Sequence, residues 1–178
     1  AVHVDGVQAW GKAPVRLNET AIDSYTVSGH KIHAPKGVGA LYLRRGYHIA
    51  PVLFGGGQEA KRRPGTENIA YIAAMAKSIE RMNRDAAARE THIAALSALL
   101  WERLGALPGI TCNSPPDALP GLANFSVDGI KSEVMLHFLE SREIYVSSGS
   151  ACSRGEASHT LTAMGLARRR IETALRVS

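Results

Sequence analysis

The chain has 178 residues, 45% of them hydrophobic, with 21 Lys+Arg against 16 Asp+Glu and a formal net charge of +5. That length and apolar content suffice to bury a core in one domain or two small ones, and no apolar run reaches the roughly 18 residues of a membrane span. The positive excess gathers at Lys61-Arg62-Arg63 and Arg168-Arg169-Arg170 without aromatic interleaving, which fits a solvated face or an acidic protein partner better than nucleic acid.

In chain order, Val2 to Asp5 reads as a short buried strand with a carboxylate at its C-terminal end, followed by a turn or brief helix over Gly6–Gly11 that Pro14 stops. Tyr25-Thr26-Val27 is a second strand, leading into Ser28-Gly29-His30-Lys31 and then the Gly/Pro-rich stretch to Gly37. Gly39 to Leu43 is a third strand. Gly55-Gly56-Gly57-Gln58 forms a flexible turn before the basic cluster, suited either to a mobile connector or to close approach of a phosphate or a subunit. Apolar residues then recur at helical spacing, predicting helices over Asn68–Met82 and Ala86–Leu104. Beyond Gly105 come strands at Ile110–Cys112 and Ala123–Val127, a helix over Ser132–Leu139 with Ser132 as N-cap, and a strand at Ile144–Val146. A small-residue loop follows over 147–155, then a helix from Ser158 to Met164 and a last strand over Thr173–Ser178. The texture changes within the helical stretch. Residues 1–82 are expected to form one part and 83–178 a second, α+β part.

Lys31 carries the sharpest chemistry. A strand-end lysine can be a solvated loop residue, or it can project into a cleft and form a Schiff base with a carbonyl cofactor. Pyridoxal 5'-phosphate would further need a carboxylate for its ring nitrogen and donors for its phenolic oxygen and phosphate. Asp5, Gln8, Ser28 and His30 could supply these, although each alone also reads as structural. Cys112 reads as a buried, inert strand residue. Cys152 sits in a Ser/Gly-rich loop two residues before Arg154, and reads either as an incidental loop cysteine or as an accessible, activated thiol. Two cysteines make neither a disulfide framework nor a zinc site, so no metal is expected and a reducing cytosol is the default.

These segments together resemble the cysteine desulfurases, pyridoxal-phosphate enzymes of the class-V aminotransferase family. The resemblance is carried by Val2-His3-Val4-Asp5-Gly6-Val7-Gln8, Ser28-Gly29-His30-Lys31 with Pro35-Lys36-Gly37, Arg63-Pro64-Gly65-Thr66-Glu67-Asn68, and Ser147-Ser148-Gly149-Ser150-Ala151-Cys152-Ser153. The last is similar to the mobile nucleophile loop of the NifS- and IscS-like branch. The resemblance implies an α/β fold: part of the fold type I large domain, including a linking helix, followed by a small α+β C-terminal domain. It implies Lys31 as the Schiff-base lysine and Cys152 as the nucleophile, with Asp5, Gln8, Ser28, His30 and Thr66 around the cofactor. Thr66 would act across a homodimer interface, and Arg176 would clamp the substrate carboxylate. The activity implied is sulfur removal from L-cysteine, giving L-alanine and a Cys152 persulfide. Its acceptor would be an iron–sulfur scaffold or a tRNA-thiolation enzyme, in the cytoplasm.

Two departures stand out. Ala34 occupies a position where the family often has glycine, a change the turn is expected to tolerate. The chain also opens at the cofactor strand, without the upstream ring-stacking histidine, asparagine and phosphate loop of the family, so a C-terminal portion is expected. The competing readings are another pyridoxal-phosphate lyase or aminotransferase, and a non-catalytic remnant that binds a partner.

Overall fold

Strand pairing organises both halves of the chain. The computed structural model describes residues 1–148 and 158–178, and they divide into two units, Ala1–Ala88 and Arg89–Ser178. The Cys152 loop lies outside the described residues.

In the first unit, β1 (His3–Asp5) pairs in parallel with β2 (Ser24–Ser28), and β2 pairs antiparallel with β3 (Gly39–Leu43). The central strand is the buried one. Ser24 and Tyr25 are 6% and 3% exposed, and the Ser24 hydroxyl meets His3 Nδ1 at 2.8 Å, so no polar atom is stranded there. Arg44 fastens the entrance to β2. Its guanidinium donates to the carbonyls of Thr20 and Ile22 and lies 3.5 Å from Asp23. The helix α1 (Ile69–Arg84) starts at an Asn68 cap whose side chain accepts from Tyr71 N at 3.2 Å, as helix N-termini require. Its buried Met75 joins Trp10, Val15, Tyr25 and Ile79 around an apolar pocket of about 300 Å³. That pocket holds the unit's packing and none of the candidate catalytic groups. The same helix packs on the turn that carries Lys31.

The described residues of the second unit contain most of α2 (Ala86–Gly105), the antiparallel sheet β4 (Ile110–Cys112), β5 (Ala123–Val127) and β6 (Ala174–Val177) in that order, and three shorter helices. These are α3 (Ser132–Glu140), α4 (His159–Ala163) and α5 (Arg168–Glu172). One sheet face is apolar. Phe125 and Leu175 are 7% and 1% exposed, and Trp101 of α2 sets its ring at 82° to Phe125 with centroids 6.5 Å apart, an edge-on geometry that aromatic quadrupoles favour.

Several expectations need correction. Ile144–Val146 is not a strand: Ser147 makes a single bridge to Arg176 instead. Lys131, not Ser132, is the N-cap of α3. The helix α5 appears where none was expected. Cys112 is exposed, its Sγ 3.4 Å from the Ser114 carbonyl, because β4 is the edge of a three-stranded sheet and covers nothing on its outer side.

Candidate active site

The parallel pairing of β1 and β2 sets Asp5 opposite Thr26. Asp5 therefore ends its strand at the same sheet edge from which β2 runs on through Ser28 into the Lys31 turn. Carboxyl ends of parallel strands are where α/β sheets gather ligand-binding groups, since both chains turn away there and leave a crevice. Asp5 Oδ1 accepts from Val7 N at 3.0 Å, and Gly6 N donates to the Thr26 carbonyl at 2.9 Å. The first of these bonds ties the carboxylate to the turn that follows. The turn places Gln8 three residues further on, exposed.

Gly6 is where the Tyr25 ring lies. A Cβ built on Gly6 would stand 1.8 Å from Tyr25 Cζ, and the Tyr25 hydroxyl reaches the Gly6 carbonyl at 3.5 Å. Burial, then the neighbouring Asp5 carboxylate, push the Tyr25 phenol above its ordinary value, since both disfavour a phenolate.

Lys31 stands in a 3-10 turn, Gly29–Ile32, that ends on His33 in the left-handed region. Gly29 is the pivot. It is buried, its N–H donates to the Val38 carbonyl, and its own carbonyl accepts from Ala34 N. A Cβ there would meet Ala34 Cβ and Val38 Cγ1 at 3.0 Å each, so the turn closes against Ala34 and tolerates that methyl. Ser28 Oγ and His30 Nδ1 lie 2.7 Å apart, two groups able to turn donors on one anion. Lys31 is exposed among the described residues; the described chain does not bury it. This donor set fits pyridoxal phosphate chemically: one carboxylate, one amide, a hydroxyl–imidazole pair and an amine, four of the five residues at one sheet edge and Gln8 on the adjoining turn.

The remaining candidates are placed separately. Thr66 is exposed in a segment that Gln58 holds by accepting from Gly65 N at 3.2 Å. In the second unit, Arg176 on β6 exchanges both backbone bonds with Ser147, at 2.7 and 3.0 Å. Its Nη2 reaches Ser147 Oγ at 3.4 Å, while its buried Nε has no hydrogen-bond partner among the described residues. A guanidinium is a fork of donors that suits a carboxylate. Sequence reading alone did not single out Ser147 as the anchor of Arg176, because nothing local marks a bridge between positions 29 residues apart.

Comparison with known proteins fits this geometry. The class-V aminotransferase family matches residues 1–178. Cysteine desulfurase 2 of Trichormus variabilis is 44% identical over 167 residues, covering 92% of this chain and 42% of the relative. Cysteine desulfurase NifS of Azotobacter vinelandii is 42% identical over 168 residues, with coverage of 92% and 42%. Among solved structures, a NifS-like protein superposes with a TM-score of 0.87 at 35% identity, covering 99% of this chain and 46% of the other. The NifS-like protein of Rickettsia africae gives a TM-score of 0.86 at 30% identity, with coverage of 99% and 47%. The chain spans less than half the length of these relatives. No helix of the described residues is long and apolar enough to cross a membrane. Members of the matched family are pyridoxal-phosphate enzymes, and the fold is that of the fold type I transferases, with mixed sheets and helices. The chain belongs to the class-V aminotransferase family.

Proposed function

We propose that this chain is the part of a cysteine desulfurase that carries its Schiff-base lysine and its nucleophile. The observation that carries the reading is the parallel β1–β2 pair, which brings Asp5, Ser28, His30 and Lys31 to one sheet edge. Residues 1–82 belong in this reading to the cofactor-binding domain and 83–178 to the small domain.

When bound, pyridoxal phosphate supplies a carbonyl for amine capture and an electron sink for charge at the substrate Cα. Lys31 Nζ holds the group and then moves the Cα proton. Asp5 holds the proton on the ring nitrogen, Gln8 donates to the phenolic oxygen, and Ser28 and His30 bind phosphate. Arg176 orients L-cysteine by its carboxylate. Cys152 Sγ, as thiolate, attacks the substrate sulfur: the S–S bond forms, the substrate C–S bond breaks, and its electron pair takes a proton to give L-alanine. The Cys152 persulfide then yields its outer sulfur to an acceptor protein, an iron–sulfur scaffold or a tRNA-thiolation enzyme, in the cytoplasm. Thr66 reaches the phosphate in the second copy of a homodimer. In support, Val52 and Phe54 are 90% and 85% exposed, and they adjoin Gly55, where a Cβ would lie 3.0 Å from Pro64 Cβ in the Thr66 segment. An apolar group of this kind beside a functional loop is what a subunit contact covers.

The test mixes the chain, alone and joined to the portion of a relative it does not span, with pyridoxal phosphate and L-cysteine. The joined protein should show the visible absorbance of lysine-bound cofactor and release alanine and sulfide. Lys31→Ala should lose the absorbance, and Cys152→Ala should keep it but lose sulfide release. Full sulfide release without Cys152 would remove the persulfide step. Partner capture with no cofactor binding in either form would leave a non-catalytic module.

A further inference from the structure

The polar face of the second sheet carries a hydrogen-bond chain with one sense throughout. The Arg170 guanidinium can only donate, and its Nε and Nη2 donate to Asn113 Oδ1, with Nη2 also donating to the Cys112 carbonyl at 2.8 Å. That fixes the Asn113 amide. Its Nδ2 then donates to Asn124 Oδ1 and to Ser126 Oγ, both at 2.8 Å, and Ser126 Oγ passes its own proton to the Arg170 carbonyl at 2.7 Å. Asn113 and Ser126 are 7% and 1% exposed, so exchange with water does not loosen the chain.

Asn124 stands directly across from Arg176. The Asn124 carbonyl accepts from Asn113 N and Ser114 N, and its N–H donates to Ser114 Oγ. The Arg176 backbone bonds the other way, to Ser147. The pair is therefore of the non-hydrogen-bonded kind, in which Cα atoms approach to about 4.5 Å and side chains are closest. The acceptor that Asn124 could offer Arg176 is its Oδ1, and that oxygen is bonded to Asn113 Nδ2 instead. This agrees with the unpartnered Nε of Arg176.

We propose that Asn113 is a positioning residue for substrate binding, which turns the Asn124 carbonyl oxygen away from Arg176 and so keeps that guanidinium free for the ligand carboxylate. The inference rests on the reading of Arg176 as the carboxylate clamp. Asn113→Asp is the decisive variant. It keeps the Oδ1 acceptor for Arg170, hence the anchoring of α5, but replaces the amide donors by an acceptor. The Asn124 amide then turns its Nδ2 to Asp and its Oδ1 toward Arg176.

The experiment measures competitive inhibition constants of L-alanine and of ethylamine, the same ligand without its carboxylate, in the holoenzyme containing this chain. It also follows the Arg176 Nε–H resonance, identified by its loss in Arg176→Lys. Asn113→Asp should weaken L-alanine by about fivefold, leave ethylamine within about twofold, and shift the Nε–H resonance. Ser126→Ala, which loosens α5 but leaves the Asn113–Asn124 bond, should lower stability without changing the ratio. An unchanged ratio in Asn113→Asp, or an equal loss in Ser126→Ala, overturns the proposal while the role of Arg176 stands. If Arg176→Lys itself leaves the ratio unchanged, the clamp reading fails and this proposal falls with it.

Discussion

At the scale of single residues, the contact between Tyr25 and Gly6 ties strand packing to the candidate site. Gly6→Ala would force a methyl into the Tyr25 ring and should cost about 1–3 kcal/mol of stability, read as a lowered urea midpoint. The raised Tyr25 phenol makes a separate prediction. The folded state keeps its proton to higher pH than the unfolded chain, so the contribution is complete below the ordinary phenol range and is lost as pH rises through the folded value. Alkaline unfolding above pH ~10 should be shallower in Tyr25→Phe than in the parent, and equal slopes would contradict it. The strand-end placement of Asp5, Ser28 and the Lys31 turn was legible in the sequence, because short apolar runs that end in turn residues mark strand ends. The Asn113–Asn124–Ser126–Arg170 chain was not. Its members lie up to 57 positions apart and meet through the β4–β5 pairing and the placement of α5, which no local pattern encodes. Cys112 misled for a related reason: its apolar neighbours in sequence say nothing about whether the strand is central or at an edge.

At the scale of elements, helical spacing marked the helix but not the face it buries. The spacing of Ile69, Ile72, Ala73 and Ala76 marked α1, yet those four are exposed and Met75 is its buried residue; its hydrogen bonds extend two residues past the expected end, to Arg84. Asn68 begins that helix by side-chain capping, and Asn68→Ala should destabilise the first unit by about 1 kcal/mol, visible in thermal melts followed by helical circular dichroism. The helix α5 escaped notice because Arg168-Arg169-Arg170-Ile171-Glu172 presents no apolar stripe; its turn is held by an Arg168–Glu172 pair at 2.7 Å and by the Arg170 bonds to Asn113. Ile144–Val146 has the composition of a strand, yet strand state requires a partner ladder, and Arg176 offers one only at Ser147.

At the scale of the whole chain, two separately cored units share two tryptophans. Trp10 lines the apolar pocket of the first and Trp101 stacks edge-on against Phe125 in the second. Trp10→Phe leaves fluorescence reporting on the second unit, and Trp101→Phe leaves it reporting on the first. Their urea transitions should not coincide; superimposable curves would mean that the units unfold as one.

The mixed pairing of the first sheet also sets an order in time. The connection from β2 to β3 closes a short loop between Ser28 and Gly39, whereas β1 must find β2 in parallel across a longer stretch, and longer loops cost more entropy to close. The β2–β3 pair with the Lys31 turn should therefore form in the transition state for folding, with β1 arriving after it. Val4→Ala should then speed unfolding and leave the folding rate nearly unchanged, whereas Leu41→Ala should slow folding. The lysine turn is thus assembled before the strand that brings Asp5 to the same sheet edge.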